Sequence, residues 1–434
     1  MRKNNNFKEP EKFNRPEVFR DPIYGYIYLD YLFLERLINT KVFQRLRRIK
    51  QLSFVNVVFH GAEHSRFSHS LGVYELSRRF LETHKFQLSE EFFSLRNKLI
   101  LLTASLLHDI GHGAYSHMFE RIFKTNHEEK TAQMIVHNEE IRAILDSIDQ
   151  EFKKDVASVI KKEKDNEFQL IQQLLTSQLD FDRLDYLKRD SFFTGVSYGH
   201  IDTDRLIRII DIEKREQKYQ IVFRKNGISA IENYLINRYH MYRQVYYHPK
   251  IKGYSIILEK IFIRIKKLIS ENYFFDSYVI VLLKEFLEQK QDLNKSLETY
   301  LKIDDFYVNS LIVCLQDDKD VILANLCQDF LNRSIWKYKE NNDKNKEIIN
   351  KIKKHYGVNG EYYTFEDNSI TQDAYREDYD NIGEQIFISS HTSSNNQIQP
   401  LSRESTIISS LMDGVMQKEN RKFFYYREYS DKKE

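Results

Sequence analysis

Histidine is the residue type whose placement could do chemistry here. The 434-residue chain holds 14 histidines, and those at 60, 64, 69, 84, 108, 112, 117 and 127 crowd into one short window. Imidazole titrates near neutral pH and ligates metals, so such crowding points to proton transfer or to an ion. His69, the adjacent pair His108-Asp109, and Asp182 form a mixed nitrogen and oxygen set. That set suits Fe, Mn, Zn or Mg, and ligand type alone does not choose between them. Taken singly, each histidine is more often a packing or capping residue. The set weighs the other way: His69 in a polar turn, His108-Asp109 after an apolar helix, Asp182 in an acidic cluster. If the segment Gln178 to Ser191 is helical from Asp182, then Asp182, Asp185, Tyr186 and Arg189 share one face. Such a stripe either faces water as a salt-bridged surface helix or lines a site. Phe181, Leu184 and Leu187 favour partial burial.

The elements that must position these groups are mostly helical. Glycine (13) and proline (5) are scarce, and no proline lies between Pro22 and Pro249. Val42, Phe43, Leu46, Ile49 and Leu52 recur at helical spacing, with Arg45, Arg47, Arg48 and Lys50 on a face that reads as solvated. Lys98 to Leu107 is apolar nearly all round, which predicts a buried helix that stops at His108-Asp109-Ile110-Gly111, the glycine suiting a C-terminal turn. Asn126 is a candidate cap for a helix from His127 to about Ile144. Residues 206–224 predict a β-hairpin, and helical patterns resume near Ala230 and run past residue 350. Beyond Asn359, Gln385 to Ile388 and Phe423 to Tyr426 read as short strands and Ser389 to Asn396 as a mobile polar loop. The expectation is a mainly α protein with a small β-hairpin and a C-terminal α+β appendage. Its divisions are an N-terminal lead 1–17, a core 18–250, a helical extension 251–358 and an α+β region 359–434.

Composition narrows the class. Apolar residues make 41% and charged residues 30%, with a net charge of +2, which argues against a general nucleic-acid coat or a polybasic membrane anchor. Two cysteines, Cys314 and Cys327, exclude a disulfide scaffold and a cysteine-rich zinc module. No run approaches the ~18 apolar residues of a membrane span. The charged N-terminus lacks the apolar core of a secretory signal, so a cytoplasmic location is expected.

The runs Arg66-Phe67-Ser68-His69-Ser70-Leu71-Gly72-Val73, His108-Asp109-Ile110-Gly111-His112-Gly113, Ser116-His117, His127-Glu128 and Asp180-Phe181-Asp182-Arg183-Leu184-Asp185-Tyr186 resemble the HD-domain phosphohydrolases. Within them the chain is most similar to the deoxynucleoside triphosphate triphosphohydrolases, from about Val18 to Lys250 and more loosely beyond. The resemblance implies an HD-domain helical core. It implies that His69, His108, Asp109 and Asp182 bind a divalent metal, and that His127 is the catalytic general acid, with His112 and Asp109 also in the catalytic set. Arg66, His112, His117, Arg183 and Tyr186 match groups that hold the triphosphate, and Arg238 is a further substrate-binding residue. Gln51, Leu52, Asp190 and Tyr246 match groups around the sugar, where an aromatic ring would crowd a 2′-hydroxyl. The implied reaction is hydrolysis of a dNTP to a deoxynucleoside and inorganic triphosphate.

The resemblance also implies activation by GTP or dGTP between the subunits of a homotetramer, through Val18, Asn39, Gln44 and Arg47. Asn39 stands where the mammalian enzyme of the family has an aspartate, and Glu17 where it has a phosphate-binding lysine. An amide accepts a hydrogen bond without charge assistance, and a carboxylate repels phosphate. Two other functions stay open at this level. One is an HD phosphohydrolase acting on a cyclic or monophosphate nucleotide. The other is a non-enzymatic nucleotide sensor or nucleic-acid-binding protein, less favoured given the balanced charge and the intact metal set.

Overall fold

The computed structural model describes residues 7–86, 88, 93–163, 167–215, 218–288, 293–368, 375, 377, 385–392, 395–415 and 422–429. Among the described residues helices dominate, accompanied by three small sheets. At the centre lies Leu95–Leu107, where every residue from Leu99 to Leu107 is buried. Ser94 caps it by accepting a bond from the Asn97 N–H. An apolar helix of this kind must be covered on all sides. Arg66–Thr83 and Phe152–Ile160 pack against it, and Phe181–Thr194 lies against Arg66–Thr83.

The Arg66–Thr83 helix meets Phe181–Thr194 very closely at Gly72. A Cβ there would sit 1.8 Å from Asp185 Oδ1 and 2.4 Å from an Arg189 nitrogen. Glycine is required at this point because a buried ion pair occupies the space a side chain would take.

Several local expectations are corrected. His69 is not in a turn but in the first turn of a helix. The helix starting at His127 ends at His137, because Asn138 adopts an extended conformation and caps a second helix, Glu139–Asp146. The run around Val42 to Leu52 is a short helix, Lys41–Gln44, followed by a 3-10 turn, Arg45–Arg48. Arg45 is 1% exposed and so does not belong to a solvated face. Residues Thr203–Arg208 are helical, and the hairpin is Ile210–Arg215 with Lys218–Arg224.

Distant pairing explains the remaining differences. Lys337–Glu340, inside the stretch expected to be helical, forms a strand against Phe423–Tyr426, in register Lys337 to Tyr426. The expected polar loop contributes to strands Phe387–Thr392 and Asn395–Pro400, and residues 393–394 lie outside the described residues. Phe387–Thr392 pairs in parallel with Lys218–Arg224 through Phe223 to Ile388. The C-terminal region is thereby attached to the hairpin of the core. Among the described residues no helix is long and apolar enough to cross a membrane.

Candidate active site

The buried helix ends at Leu107 and presents His108 and Asp109 next to His69 and Asp182. His69 Nε2 lies 3.2 Å from His108 Nε2, 3.0 Å from Asp182 Oδ1 and 3.7 Å from Asp109 Oδ2. His108 Nε2 is 3.4 Å from Asp109 Oδ1 and 3.8 Å from Asp182 Oδ1. The far nitrogens of both rings are tied back. His69 Nδ1 donates to Asp185 Oδ2 at 2.7 Å, and His108 Nδ1 donates to the Ser105 carbonyl at 2.9 Å. A ring that donates through Nδ1 offers its Nε2 lone pair inward. Two such lone pairs and the carboxylate oxygens repel one another unless a positive charge lies between them. The donor set therefore fits a divalent cation.

Without an ion, a proton on His69 supplies that charge. Burial pushes the His69 imidazole down, but the bonds to Asp182 and Asp185 outweigh it and hold its pKa at about 10. Burial raises the Asp109 carboxyl, while Arg66, His108 and His112 hold it well below its ordinary range. Asp182 is likewise lowered against burial, by the His69 hydrogen bond. Asp185 is fixed from behind by Arg189, whose Nε and Nη2 each donate at 2.9 Å. Arg189 also bonds Asp21 at 2.8 Å and is fully buried. The polar stripe Asp182, Asp185, Tyr186, Arg189 thus faces inward rather than forming a surface ladder.

Gly111 serves closeness, not a left-handed turn. A Cβ there would fall 2.3 Å from the His127 carbonyl and the Thr131 nitrogen. Thr131 Oγ1 donates to the His108 carbonyl at 3.0 Å and accepts from the Gly111 N–H at 2.9 Å, pinning the motif to the His127–His137 helix.

A second group adjoins the first through Asp109, whose Oδ1 is 3.3 Å from His112 Nε2. His112 and His127 stack with ring centroids 4.0 Å apart and planes 13° from parallel. Glu120 accepts from His117 Nδ1 at 2.9 Å and from His127 Nδ1 at 2.6 Å. It also accepts from the His127 backbone N–H at 2.9 Å. Burial raises the Glu120 carboxyl, but His117 and His127 hold it far below its ordinary value. Burial, Arg66 and His127 lower His112, so it is neutral at pH 7. Ligand atoms of His112, His117, Glu120 and His127 lie within 4.8 Å of one another. Stacked rings, however, direct their lone pairs along parallel lines, and one ion lies in the plane of only one of them. The two stacked rings therefore do not both ligate one ion.

Most of the other expected residues make hydrogen bonds of their own. Arg66 donates to Asp109 Oδ2 at 2.5 Å and to Ser116 Oγ at 2.7 Å, and Arg183 bonds Asp180. Both cations are thus already paired. Arg238 is not: it meets the Gln178 side chain at 2.8 Å and the Gln178 carbonyl at 3.3 Å, and no carboxylate among the described residues bonds it. Tyr246 ends a π-helical turn, Tyr242–Tyr246, and donates to Asp190 Oδ2 at 2.8 Å. Asp190 Oδ1 is held by His64 Nε2 at 2.7 Å, so both of its oxygens are engaged. Tyr186 stands edge-on to Tyr246 at 6.1 Å. Gln51 and Leu52 are half-buried in the turn before the Arg66–Thr83 helix, and the Gln51 Oε1 is buried without a hydrogen-bond partner.

Val18, Asn39, Gln44 and Arg47 come from the first 47 residues of the chain. Val18 is exposed on the strand Lys12–Asp21, and Asn39 ends the helix Leu32–Ile38. Gln44 Nε2 donates to the Ile38 carbonyl and its Oε1 accepts from Arg47 Nε, each at 2.9 Å. Arg47 lies 3.5 Å over the Phe67 ring.

Sequence reasoning missed Glu120, the orienting role of Asp185, and His64. Glu120 had a signal, since it stands three residues after His117 at the start of a helix, where such pairs meet. His64 had none, because its acceptor is 126 residues away.

The HD domain matches residues 66–190, and an HD associated region matches residues 201–274. The chain is 39% identical over 407 residues to the uncharacterised Bacillus subtilis protein YwfO, covering 92% of this chain and 90% of that one. A crystal structure of a phosphohydrolase from Bacteroides thetaiotaomicron superposes with a TM-score of 0.76 at 27% identity, covering 95% of this chain and 100% of that chain. The chain belongs to the HD-domain phosphohydrolase family, and is a metal-dependent phosphohydrolase. It is also 29% identical over 264 residues to the deoxynucleoside triphosphate triphosphohydrolase SAMHD1 of Danio rerio, a match that spans 54% of this chain and 42% of that protein.

Proposed function

We propose that the protein hydrolyses deoxynucleoside triphosphates to deoxynucleoside and inorganic triphosphate. The observation that carries this reading is the order of groups along one helix, Phe181–Thr194. Asp182 stands at the ion pocket, Arg183 and Tyr186 follow, and Asp190 ends at Tyr246. Eight residues of helix span about 12 Å, so these side chains meet successive parts of one extended ligand rather than a single group. Similarity to the fish dNTP triphosphohydrolase supports the same substrate class.

A divalent ion held by His69, His108, Asp109 and Asp182 would activate a water and polarise a phosphoryl oxygen. The chain supplies the rest. His127, oriented by Glu120, holds a proton for the departing 5′-oxygen. Water adds to the α-phosphorus, the bond to the 5′-oxygen breaks, and that oxygen leaves with the proton. Arg238, His117 and the hydroxyl of Tyr186 meet the triphosphate, alongside Arg66, Arg183 and neutral His112. The Tyr246 ring, fixed by Asp190 and backed by His64, leaves little space for a 2′-hydroxyl. Gln51 and Leu52 complete the sugar side.

The same reading includes a guanine nucleotide, GTP or dGTP, bound at Val18, Asn39, Gln44 and Arg47 between subunits of a cytoplasmic homotetramer. The test is a product assay. Purified protein is given each dNTP and NTP with Mg²⁺ or Mn²⁺, with and without GTP or dGTP, and products are separated by ion exchange. Deoxynucleoside with triphosphate is expected. Monophosphate or pyrophosphate as product overturns the assignment of the cleaved bond. Equal turnover of NTPs overturns the role of Tyr246.

A further inference from the structure

The loop that carries His112 and leads into His117 is strained. Tyr115 and Ser116 both adopt left-handed backbone, with φ of 55° and 53°. Two successive non-glycine residues hold such a conformation only where their surroundings impose it. The surroundings here come largely from outside the HD motif. Asp305 Oδ1 accepts the Tyr115 N–H at 2.7 Å, and its Oδ2 accepts the Lys50 N–H at 2.9 Å. Asn309 accepts from the Tyr115 hydroxyl at 2.6 Å. Tyr300 donates to the Gly111 carbonyl at 2.7 Å. Arg45 braces the two sides, donating to the His112 carbonyl at 2.7 Å and to the Ile303 carbonyl at 2.8 Å, with its guanidinium 5.2 Å over the Tyr300 ring. Next to it, Arg48 meets Asp304 at 2.5 Å. Asp305 and Arg45 are 2% and 1% exposed. Their hydrogen bonds go chiefly to main-chain groups of the histidine loop and of the segments facing it. Removing such a group leaves its buried main-chain partners unsatisfied, so it holds the backbone that presents them.

We infer that Asp305, Tyr300 and Arg45 are positioning residues: a clamp from the helical extension that holds the Gly111–Ser116 loop so that His112 stays stacked on His127. The clamp rests on the reading of that histidine pair as part of the catalytic centre. It also touches the Lys41–Lys50 segment, so a change of shape there reaches the histidines through Arg45 and Asp305.

The test compares D305A, D305N and Y300F with the unaltered protein by three measurements. Amide hydrogen exchange is read by mass spectrometry over the whole chain. Mn²⁺ affinity is read by calorimetry. Turnover of dGTP with Mn²⁺ is resolved into kcat and KM. In D305A, exchange across residues 111–117 is expected to rise about 10-fold or more while that of 181–190 is unchanged. Mn²⁺ affinity and KM should stay within about threefold, and kcat should fall about 10- to 100-fold, the penalty of misplacing catalytic groups by an ångström. D305N retains one acceptor and should recover part of the loss, and Y300F should fall between. Faster exchange confined to residues 300–309, or unchanged kcat with a loosened loop, overturns the clamp. So does loss of Mn²⁺ together with kcat, which marks general collapse. If the unaltered protein does not turn over dGTP, the substrate reading fails by itself, and exchange at 111–117 still decides whether the clamp exists.

Discussion

The ion pocket and the histidine array share a carboxylate, Asp109, yet are arranged for different tasks. In the pocket, His69 and His108 turn their Nε2 atoms toward each other and toward Asp182, and their Nδ1 atoms are anchored to Asp185 and a carbonyl. In the array, His117 and His127 spend Nδ1 on Glu120, and His112 and His127 lie face to face. Similar residue types therefore give donors that converge on one point in the pocket, and rings that face each other in the array, where the proposed function places proton transfer. The lesson is geometric: ring orientation, set by what the far nitrogen bonds, decides the chemistry.

The sharpest break of this contrast is to remove a pocket ligand. His108→Ala or Asp182→Asn should empty the site of metal and lower turnover about 1,000-fold. Metal analysis alongside rate measurement checks it, and an active, metal-loaded variant would contradict the pocket. Glu120→Gln should act oppositely on binding. Metal content should persist, while kcat falls about 100-fold because His127 loses its orienting carboxylate. Loss of metal in that variant would merge the two regions into one site. Asp185→Asn probes the anchoring alone, and calorimetry should find Mn²⁺ bound about 10- to 100-fold more weakly.

The contrast also extends to pH. His69 has its pKa raised to about 10 by Asp182 and Asp185 in the metal-free protein. A raised imidazole stabilises the fold fully below its unfolded value of about 6.5. That contribution is lost as pH rises through about 10. An entering ion must displace this proton, so Mn²⁺ affinity should climb about tenfold per pH unit across that window. Calorimetry in buffers of different ionisation enthalpy should register close to one proton released. A flat affinity profile would show that the proton is absent.

Periodicity and capping carried much of the architecture. Lys98 to Leu107 is buried because its apolar residues cover every side of a helix, and Phe423–Tyr426 is a strand as its β-prone run predicts. The ion pocket was readable in outline, since His108-Asp109 follows a helix end and Asp182 heads a polar stripe. Arg45 was misread, because an arginine at a helix face looks solvated until the carbonyls of His112 and Ile303 arrive from elsewhere. Lys337–Glu340 was misread for the same reason, as its partner strand lies near the C-terminus.

The sequence by itself determined the helical class and the buried central helix, and it put forward His69, His108, Asp109 and Asp182 as a ligand set, all from local patterns or short motifs. Only the tertiary structure decided which nitrogen of each histidine faces inward, and that Glu120 orients His127. It alone decided that His64 backs Asp190 and that residues 300–309 hold the strained loop. These depend on contacts between segments far apart in the chain, where distance and orientation, not residue type, determine what a side chain can do.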